Sequence, residues 1–351
     1  MKKKNRYNIC VVGVGAVGIE MLRVLKQREF PVESLRVFAR SARRINVDGR
    51  DYSVEAIHPD AFSGIDIALF AGTEGEKGAA TTYAPEAVKR GVVVIDNGAD
   101  FRMDPKVPLV VPEVNPADIK KHQGIIANPN CSTIQMVVAL WPIYKKAGIK
   151  RIIVTTLQAS SGAGRQAVEQ LWGETEEIVS RRQKSEERGQ GLTSDICNLS
   201  SEKAMPQQLG FNVFPHIGGF SEFGYTSEEW KLVRETHKIM HDKKIKISAT
   251  TVRVPVRTGH SESVYIETAK PLSALMAKKI LSKAAGVVVV DDPQKNIYPM
   301  PKDSEGRDET FVGRIRNDYY VKNGLWLWVV ADNLRKGAAT NAVQIAERLI
   351  S

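Results

Sequence analysis

One cysteine stands where chemistry is favoured. Asn128-Pro129-Asn130-Cys131-Ser132-Thr133 leads from an irregular stretch into an apolar segment of helical character. A helix N-terminus offers free N–H groups and partial positive charge, which stabilise a thiolate. Ser132 or Thr133 can help cap such a helix. A thiolate there points to nucleophilic attack on an acyl carbon and a thioester intermediate. The competing reading is a small core residue. It fits Cys10, inside an apolar run, and Cys197 carries no motif.

Thioester chemistry needs an acid or base, an anion clamp and an oxyanion site. Among six histidines, His260 follows Gly259 at a turn between two expected strands, where a rigid scaffold can present it. His58, His122, His216, His237 and His241 have flanks that point to surface or packing roles. Arg253 lies on an apolar strand seven residues before His260. A buried arginine calls for an anion, whereas an edge-strand arginine would not. Gln158-Ala159-Ser160-Ser161-Gly162-Ala163-Gly164 follows another expected strand. Small residues such as Ser161 and Gly162 let a ligand approach closely, although a flexible turn uses the same residues.

The N-terminal motif Gly13-Val14-Gly15-Ala16-Val17-Gly18 is GxGxxG between an expected strand and helix. Gly13, Gly15 and Gly18 permit the tight turn, and the N–H groups of Ala16, Val17 and Gly18 can meet a pyrophosphate. An acid about 20 residues later would hold the ribose hydroxyl of NAD. Here the segment reads Arg40-Ser41-Ala42-Arg43-Arg44 with no acid. Arg40 and Ser41 therefore favour the 2′-phosphate of NADP.

These residues need a frame. Tyr7–Val12, Leu35–Ala39, Ile67–Ala71 and Val92–Asn97 read as strands, with helices over Ala16–Arg28 and Ala79–Arg90. That alternation predicts a doubly wound, Rossmann-type parallel sheet. After Asn130 a helix is expected over Ser132–Ala147, then strands at Arg151–Leu157, Lys246–Val256 and Ser263–Lys270. Arg257-Thr258-Gly259-His260 looks like an antiparallel connection between the last two. The fold class is thus α/β, with an α+β second domain built on a mainly antiparallel sheet. The expected division is 1–131, completed by 332–351, for the NADP-binding domain, and 132–331 for catalysis and dimerisation. The charged stretch Glu174–Gly191 reads as a solvated helix or loop, and Gly337–Ile350 as a long helix.

Composition agrees with such a chain. Its 351 residues are 42% hydrophobic and 26% charged, as in a soluble two-domain protein rather than a disordered or disulfide-stapled one. Lys and Arg number 50 against 40 Asp and Glu, a surplus of +10 that suits anionic ligands. Three widely spaced cysteines form no CxxC pair, so no metal site is expected, and a reducing, cytoplasmic setting is. Apolar runs are broken by polar residues and prolines, so no membrane partner is expected. Basic–aromatic interleaving is absent, so no nucleic-acid partner is expected either.

Asn130-Cys131-Ser132-Thr133, Gln158 with its Ser-Ser-Gly-Ala-Gly run, Arg253 to His260-Ser261-Glu262, and Asp332-Asn333-Leu334-Arg335-Lys336-Gly337-Ala338 together resemble the aspartate-semialdehyde dehydrogenase family. The resemblance runs in the same order along the whole chain. It implies NADP-dependent reductive dephosphorylation of L-aspartyl 4-phosphate to L-aspartate 4-semialdehyde, feeding lysine, threonine, methionine and diaminopimelate synthesis. By position, Cys131 resembles the acyl-accepting nucleophile, His260 the acid/base that keeps the thiol ionised, and Gln158 the residue orienting substrate. Asn130 lies on the substrate side, and Arg253 matches the α-carboxylate clamp. Arg102 and Lys231 match phosphate ligands, Glu228 the partner of the substrate ammonium, and Asn333 a nicotinamide-side contact. The resemblance also implies a homodimer or homotetramer. The glycine loop departs from the family, which commonly spaces GxxGxxG with one more residue. The stretch 174–191 falls where the family carries a variable helical insertion. An N-acetylglutamyl-phosphate reductase and a non-catalytic NADP-binding paralogue are the nearest alternatives.

Overall fold

The computed structural model describes residues 3–72, 78–187, 199 and 204–351. Cys197 and the end of the charged stretch, 188–191, lie outside them.

The chain builds two sheets in succession. The first third contributes β1 (Tyr7–Val12), α1 (Ala16–Gln27), β2 (Val32–Ala39), β3 (Arg43–Val47), β4 (Arg50–Ala56), β5 (Ile67–Phe70), α2 (Ala79–Lys89), β6 (Val93–Asp96) and β7 (Ile125–Ala127). Strand order is β3-β4-β2-β1-β5-β6-β7. All pairs are parallel except β3–β4. Central strands such as β5 and β6 are buried along their whole length, as a sheet covered on both faces requires. Order reverses across β1 and β5, which opens a crevice at their carboxyl ends.

The basic segment after β2 is not a simple turn. Arg43 and Arg44 begin β3, and Asp48 (φ 50°) and Gly49 (φ 80°) turn the chain back into β4. Two left-handed residues in succession are what a tight hairpin demands. Arg40 and Ser41 remain exposed at the end of β2.

The second part begins with α3 (Cys131–Ala147), which starts one residue earlier than the sequence pattern implies. There follow β8 (Ile149–Gln158), α4 (Arg165–Glu187), α5 (Ser227–Met240), β9 (Lys246–Arg253), β10 (His260–Thr268), α6 (Ala274–Leu281), β11 (Val287–Val289), α7 (Pro301–Ser304), β12 (Thr310–Asn317) and β13 (Gly324–Ala331). The sheet runs β11-β12-β13-β10-β8-β9. Its three central pairings are antiparallel, and the edge strands β11 and β9 pair in parallel. β9 and β10 do run in opposite directions, but they are not neighbours: β8 lies between them. His260 accordingly opens β10 instead of sitting in the turn.

One apolar core joins α3, α5 and α6 to the inner face of this sheet. The last segment returns to the first sheet. Arg335–Ala339 forms a π turn and α8 (Thr340–Ile350) continues it. Ala342, Val343 and Ile345 pack with Ile9, Met21 and Ile95 in the core of the first sheet. Among the described residues, no helix is long and apolar enough to cross a membrane.

Candidate active site

Asn130 organises the site. Its backbone is extended after Pro129, and its side-chain oxygen accepts from Ser132 N (3.1 Å) and Thr133 N (3.2 Å), capping α3. Its amide group donates to Glu228 (2.8 Å), and its own N–H donates to Glu235 (2.7 Å). Cys131 is thereby fixed as the first helical residue. Gly337, in the π turn, lies against it: a Cβ added there would stand 2.8 Å from the Cys131 Cβ.

Helix α5 supplies the opposite wall. Thr226 and Glu229 form a reciprocal capping box, and Glu229 also accepts from Thr251 N. Glu229 is therefore occupied in the fold, and Glu228 is the acid that faces the cavity. Glu228 accepts from Asn130 and from Gln158 (3.1 Å), with Lys231 Nζ at 3.4 Å. Burial acts to raise its carboxyl, but Lys231, Asn130, Gln158 and Arg102 outweigh burial and hold it below the usual range.

Glu235 was not singled out by the sequence pattern. Its signal was its spacing, two turns after Glu228 on the same face of an amphipathic helix. It is buried and bridges Arg102 (3.1 Å) to the Asn130 N–H, while Arg102 also donates to Asn97 O (2.7 Å).

These groups surround a cavity of about 220 Å³, lined by Val17, Arg102, Asn130, Cys131, Gln158, Ser161, Gly162, Glu228, Lys231, Arg253 and Asn333, among others. It lies where the carboxyl ends of the first sheet meet the edge of the second. Arg253 is buried and donates to Ala159 O (2.6 Å), and its Nε has no hydrogen-bond partner. Asn333 binds Ser161 and accepts from Gly259 N (2.9 Å), tying the turn before His260 to the small-residue segment.

His260 is behind that segment and fully buried. A Cβ on Gly162 would stand 3.0 Å from His260 Cε1 and 3.1 Å from Nε2, so only glycine leaves the ring edge uncovered. Burial, then the Arg253 charge, lower its pKa to about 3. Ala159 N–H donates to Nδ1 (3.0 Å), so the neutral ring carries its proton on Nε2. The remaining histidines lie elsewhere: His237 meets Ile245 O, His241 pairs with Asp118, and His216 stacks on Phe220.

The thiol differs from the expectation of a resting thiolate held by His260. Burial and then Glu228 push Cys131 up to about 12, against the opposing effects of Arg102, the Ser132 N–H and Lys231. A neutral histidine cannot supply the missing positive charge. Removing the Glu228 charge should thus lower the thiol pKa. Glu228→Gln is expected to speed iodoacetamide alkylation of Cys131 at pH 8, while raising the KM of an ammonium-bearing substrate about tenfold or more. Slower or unchanged alkylation would contradict this electrostatic account.

The glycine loop lies at the start of α1. Gly13 has φ 103°, and a Cβ on Gly18 would stand 1.9 Å from Gly13 O, so both must be glycine. Gly13 N donates to Phe38 O, which joins the loop to the β2 end that leads to Arg40 and Ser41. At the start of α1, Gly15 caps without any side chain, and a Cβ there would meet nothing. The N–H groups of Ala16, Val17 and Gly18 therefore begin a helix whose end no side chain covers, as an anion site requires. Among the described residues no His, Cys, Asp and Glu cluster could hold a metal.

Family models match both parts of the chain: "Semialdehyde dehydrogenase, NAD binding domain" over residues 8–122 and "Semialdehyde dehydrogenase, dimerisation domain" over 140–336. The aspartate-semialdehyde dehydrogenase of Aquifex aeolicus is 53% identical over 352 residues, covering 98% of each chain. The chain belongs to the aspartate-semialdehyde dehydrogenase family. The Vibrio cholerae aspartate semialdehyde dehydrogenase II, solved with ASA, superposes with a TM-score of 0.89 at 43% identity, covering 99% of both chains. The Candida albicans enzyme, solved with NADP, gives 0.70 at 25% identity over 98% of each. Aspartate-semialdehyde dehydrogenases thus share this two-sheet architecture across a wide range of identity, and the first sheet is the dinucleotide-binding unit.

Glu262, two residues after His260 on the same face of β10, has no part in the cavity. It is fully buried, neither carboxyl oxygen has a hydrogen-bond partner, and burial raises its pKa well above the ordinary value despite the nearby Gln135 amide. The folded state therefore keeps a proton that the unfolded chain loses above about pH 4.3. This contribution to stability is full below that pH and is lost as pH rises toward the folded pKa. Glu262→Gln removes the dependence. In thermal unfolding it is expected to match the parent near pH 5 and exceed it by a few degrees near pH 8. Equal destabilisation at both pH values would contradict a neutral carboxyl.

Proposed function

We propose that this protein is an NADP-dependent aspartate-semialdehyde dehydrogenase of the cytoplasm, converting L-aspartyl 4-phosphate to L-aspartate 4-semialdehyde through a thioester on Cys131. The observation that carries the reading is the arrangement of charge round that sulfur. Arg253, Glu228, Arg102 and Lys231 all line the cavity that holds the sulfur, with Lys231 Nζ 3.4 Å from the Glu228 carboxylate. An amino acid with an activated side chain has the matching groups: α-carboxylate for Arg253, ammonium for Glu228, phosphate for Arg102 and Lys231. An N-acylated glutamyl phosphate has no ammonium and would leave Glu228 buried against a neutral amide, which disfavours the acetylglutamyl alternative.

The chain's residues then divide the work. Gln158 and Asn130 hold Glu228, and through it the substrate, beside the nucleophile. As the sulfur attacks, the acyl carbon–oxygen bond breaks, the thiol proton passes to the departing phosphate oxygen, and hydrogen phosphate leaves toward Arg102 and Lys231. The Asn130 cap takes the Ser132 and Thr133 N–H groups, so at the start of α3 the Cys131 N–H is the group left to receive the developing oxyanion. His260 presents Nε2–H, so its first role is to donate to the oxyanion formed at the thioester carbon, and collapse of that species releases the aldehyde and the Cys131 thiolate. NADP(H), when bound, supplies or accepts the hydride. Gly13, Gly15, Ala16, Val17 and Gly18 would hold its pyrophosphate, Arg40 and Ser41 its 2′-phosphate, and Ser161, Gly162 and Asn333 its nicotinamide end. On this reading, 1–131 with 332–351 form the cofactor unit and 132–331 the catalytic one.

The assembly we infer is a homodimer or homotetramer. Tyr265 and Trp326 lie across β10 and β13 with ring centroids 5.0 Å apart, on the sheet face turned away from α3. That face suits isologous pairing with a second copy.

The test is the reverse reaction. NADP reduction should require both aspartate semialdehyde and phosphate, and N-acetylglutamate semialdehyde should not substitute. Turnover with the acetylated substrate alone, or without phosphate, would refute the assignment.

A further inference from the structure

Helix α5 does more than present Glu228, Lys231 and Glu235. One turn past Glu235, Lys238 continues the same face. Its ammonium has three protons, and three backbone carbonyls receive them. Arg102 O lies at 2.7 Å, Asp104 O at 2.7 Å and Val107 O at 2.8 Å. The Asp104 carboxylate turns instead to the N–H of Lys106 (2.8 Å). Lys238 is therefore spent on the main chain of a single loop, not on a surface ion pair.

That loop carries Arg102. Its guanidinium is held from α5 by Glu235 and from the end of β6 by Asn97 O. One helix thus grips both ends of the residue, with Glu235 at the side chain and Lys238 at the carbonyl. The three carbonyls converge on one point, and a single strongly hydrated point charge is suited to them. A planar guanidinium fork cannot meet three converging acceptors equally. A hydrocarbon there would leave the part-buried carbonyls of Arg102 and Val107 without a donor, Asp104 O keeping only the Val107 N–H, and the loop would have to open to reach water.

We propose that Lys238 is a positioning residue for the phosphate of the reaction: it fastens the 102–107 loop to α5 so that Arg102 faces the cavity, and it acts on phosphate only through Arg102. This rests on the reading above of Arg102 as a phosphate ligand.

Steady-state kinetics in the oxidative direction test it, with phosphate and aspartate semialdehyde varied separately for Arg102→Ala, Lys238→Met and the double variant. Lys238→Met is expected to raise the phosphate KM roughly tenfold, while the semialdehyde KM and kcat at saturating phosphate stay within about twofold. In the Arg102→Ala background the same change should add nothing. In Lys238→Ala, millimolar ethylammonium should restore the phosphate KM, and tetramethylammonium, which has no N–H, should not. Should Lys238→Met fail to fold, Lys238→Arg decides: it keeps the charge, yet its phosphate KM should still rise several-fold. If Arg102→Ala leaves the phosphate KM unchanged, the role of Arg102 itself is wrong. If Arg102→Ala raises it but Lys238→Met and Lys238→Arg do not, or if the two effects simply add, the inference about Lys238 is overturned and Arg102 keeps its role.

Discussion

Cys131→Ala should give a folded protein with turnover reduced by at least about 10⁴-fold. The fold should survive because the sulfur does not hold it. The cap on α3 comes from Asn130, whose oxygen serves the N–H groups of Ser132 and Thr133. The contact with the π turn is made by the Cys131 Cβ, which stands where a Cβ on Gly337 would collide, and alanine keeps that atom. The cavity loses only the reacting atom. Steady-state rates in both directions, with thermal unfolding to confirm the fold, would check this. An alanine variant within tenfold of the parent would mean that acyl transfer bypasses the cysteine.

The second large effect belongs to a residue that need not touch substrate. Glu235→Ala is expected to destabilise the protein by about 3–5 kcal/mol, the range found when one partner of a buried ion pair is removed. It withdraws the carboxylate from Arg102 and the acceptor from the Asn130 N–H together. The loop that carries Arg102 and the cap of the helix that begins at Cys131 are thus loosened at once. Denaturant unfolding should show the loss, and the phosphate KM should rise in whatever fraction remains folded. A variant of parental stability would show that the bridge contributes little. Burial raises the Glu235 carboxyl, which Arg102 and the Asn130 N–H oppose.

Much of the site was legible because its signals are local. Cys131 follows Asn130 at a loop-to-helix junction, as expected, but the cap is Asn130 and not Ser132 or Thr133: α3 starts at Cys131, so those two lie inside it and their hydroxyls have no hydrogen-bond partner. Gly13 and Gly18 announce a turn that no side chain tolerates, and the structure gives the reason in a clash with the Gly13 carbonyl. The β3–β4 hairpin was equally local, since Asp48-Gly49 is a strong turn signal, but the arginines around it drew the reading toward a ligand. Sheet order was not local. Six residues, 254–259, separate β9 from β10, enough to step across β8, and loop length cannot tell a hairpin from such a step.

The electrostatics were the least legible. A helix N-terminus beside a histidine implies a thiolate, yet both groups are shifted by burial among segments far apart in sequence. His260 is enclosed by Ala159, Gly162 and Arg253, and Cys131 by α5 and the π turn. Nothing in their immediate neighbours in the sequence reports that enclosure. Glu235 and Lys238 were missed for another reason: no helix was expected over 227–240, so the face they share with Glu228, which meets the cavity and the loop beside it, was not read.

The central claim concerns one covalent bond. The enzyme would be mixed with aspartate semialdehyde and NADP without phosphate, quenched in acid, digested and mapped by mass spectrometry. An aspartyl group on the peptide containing Cys131, removed when phosphate is added before the quench, is the expected result. An unmodified Cys131 in a sample that has reduced one equivalent of NADP would contradict it.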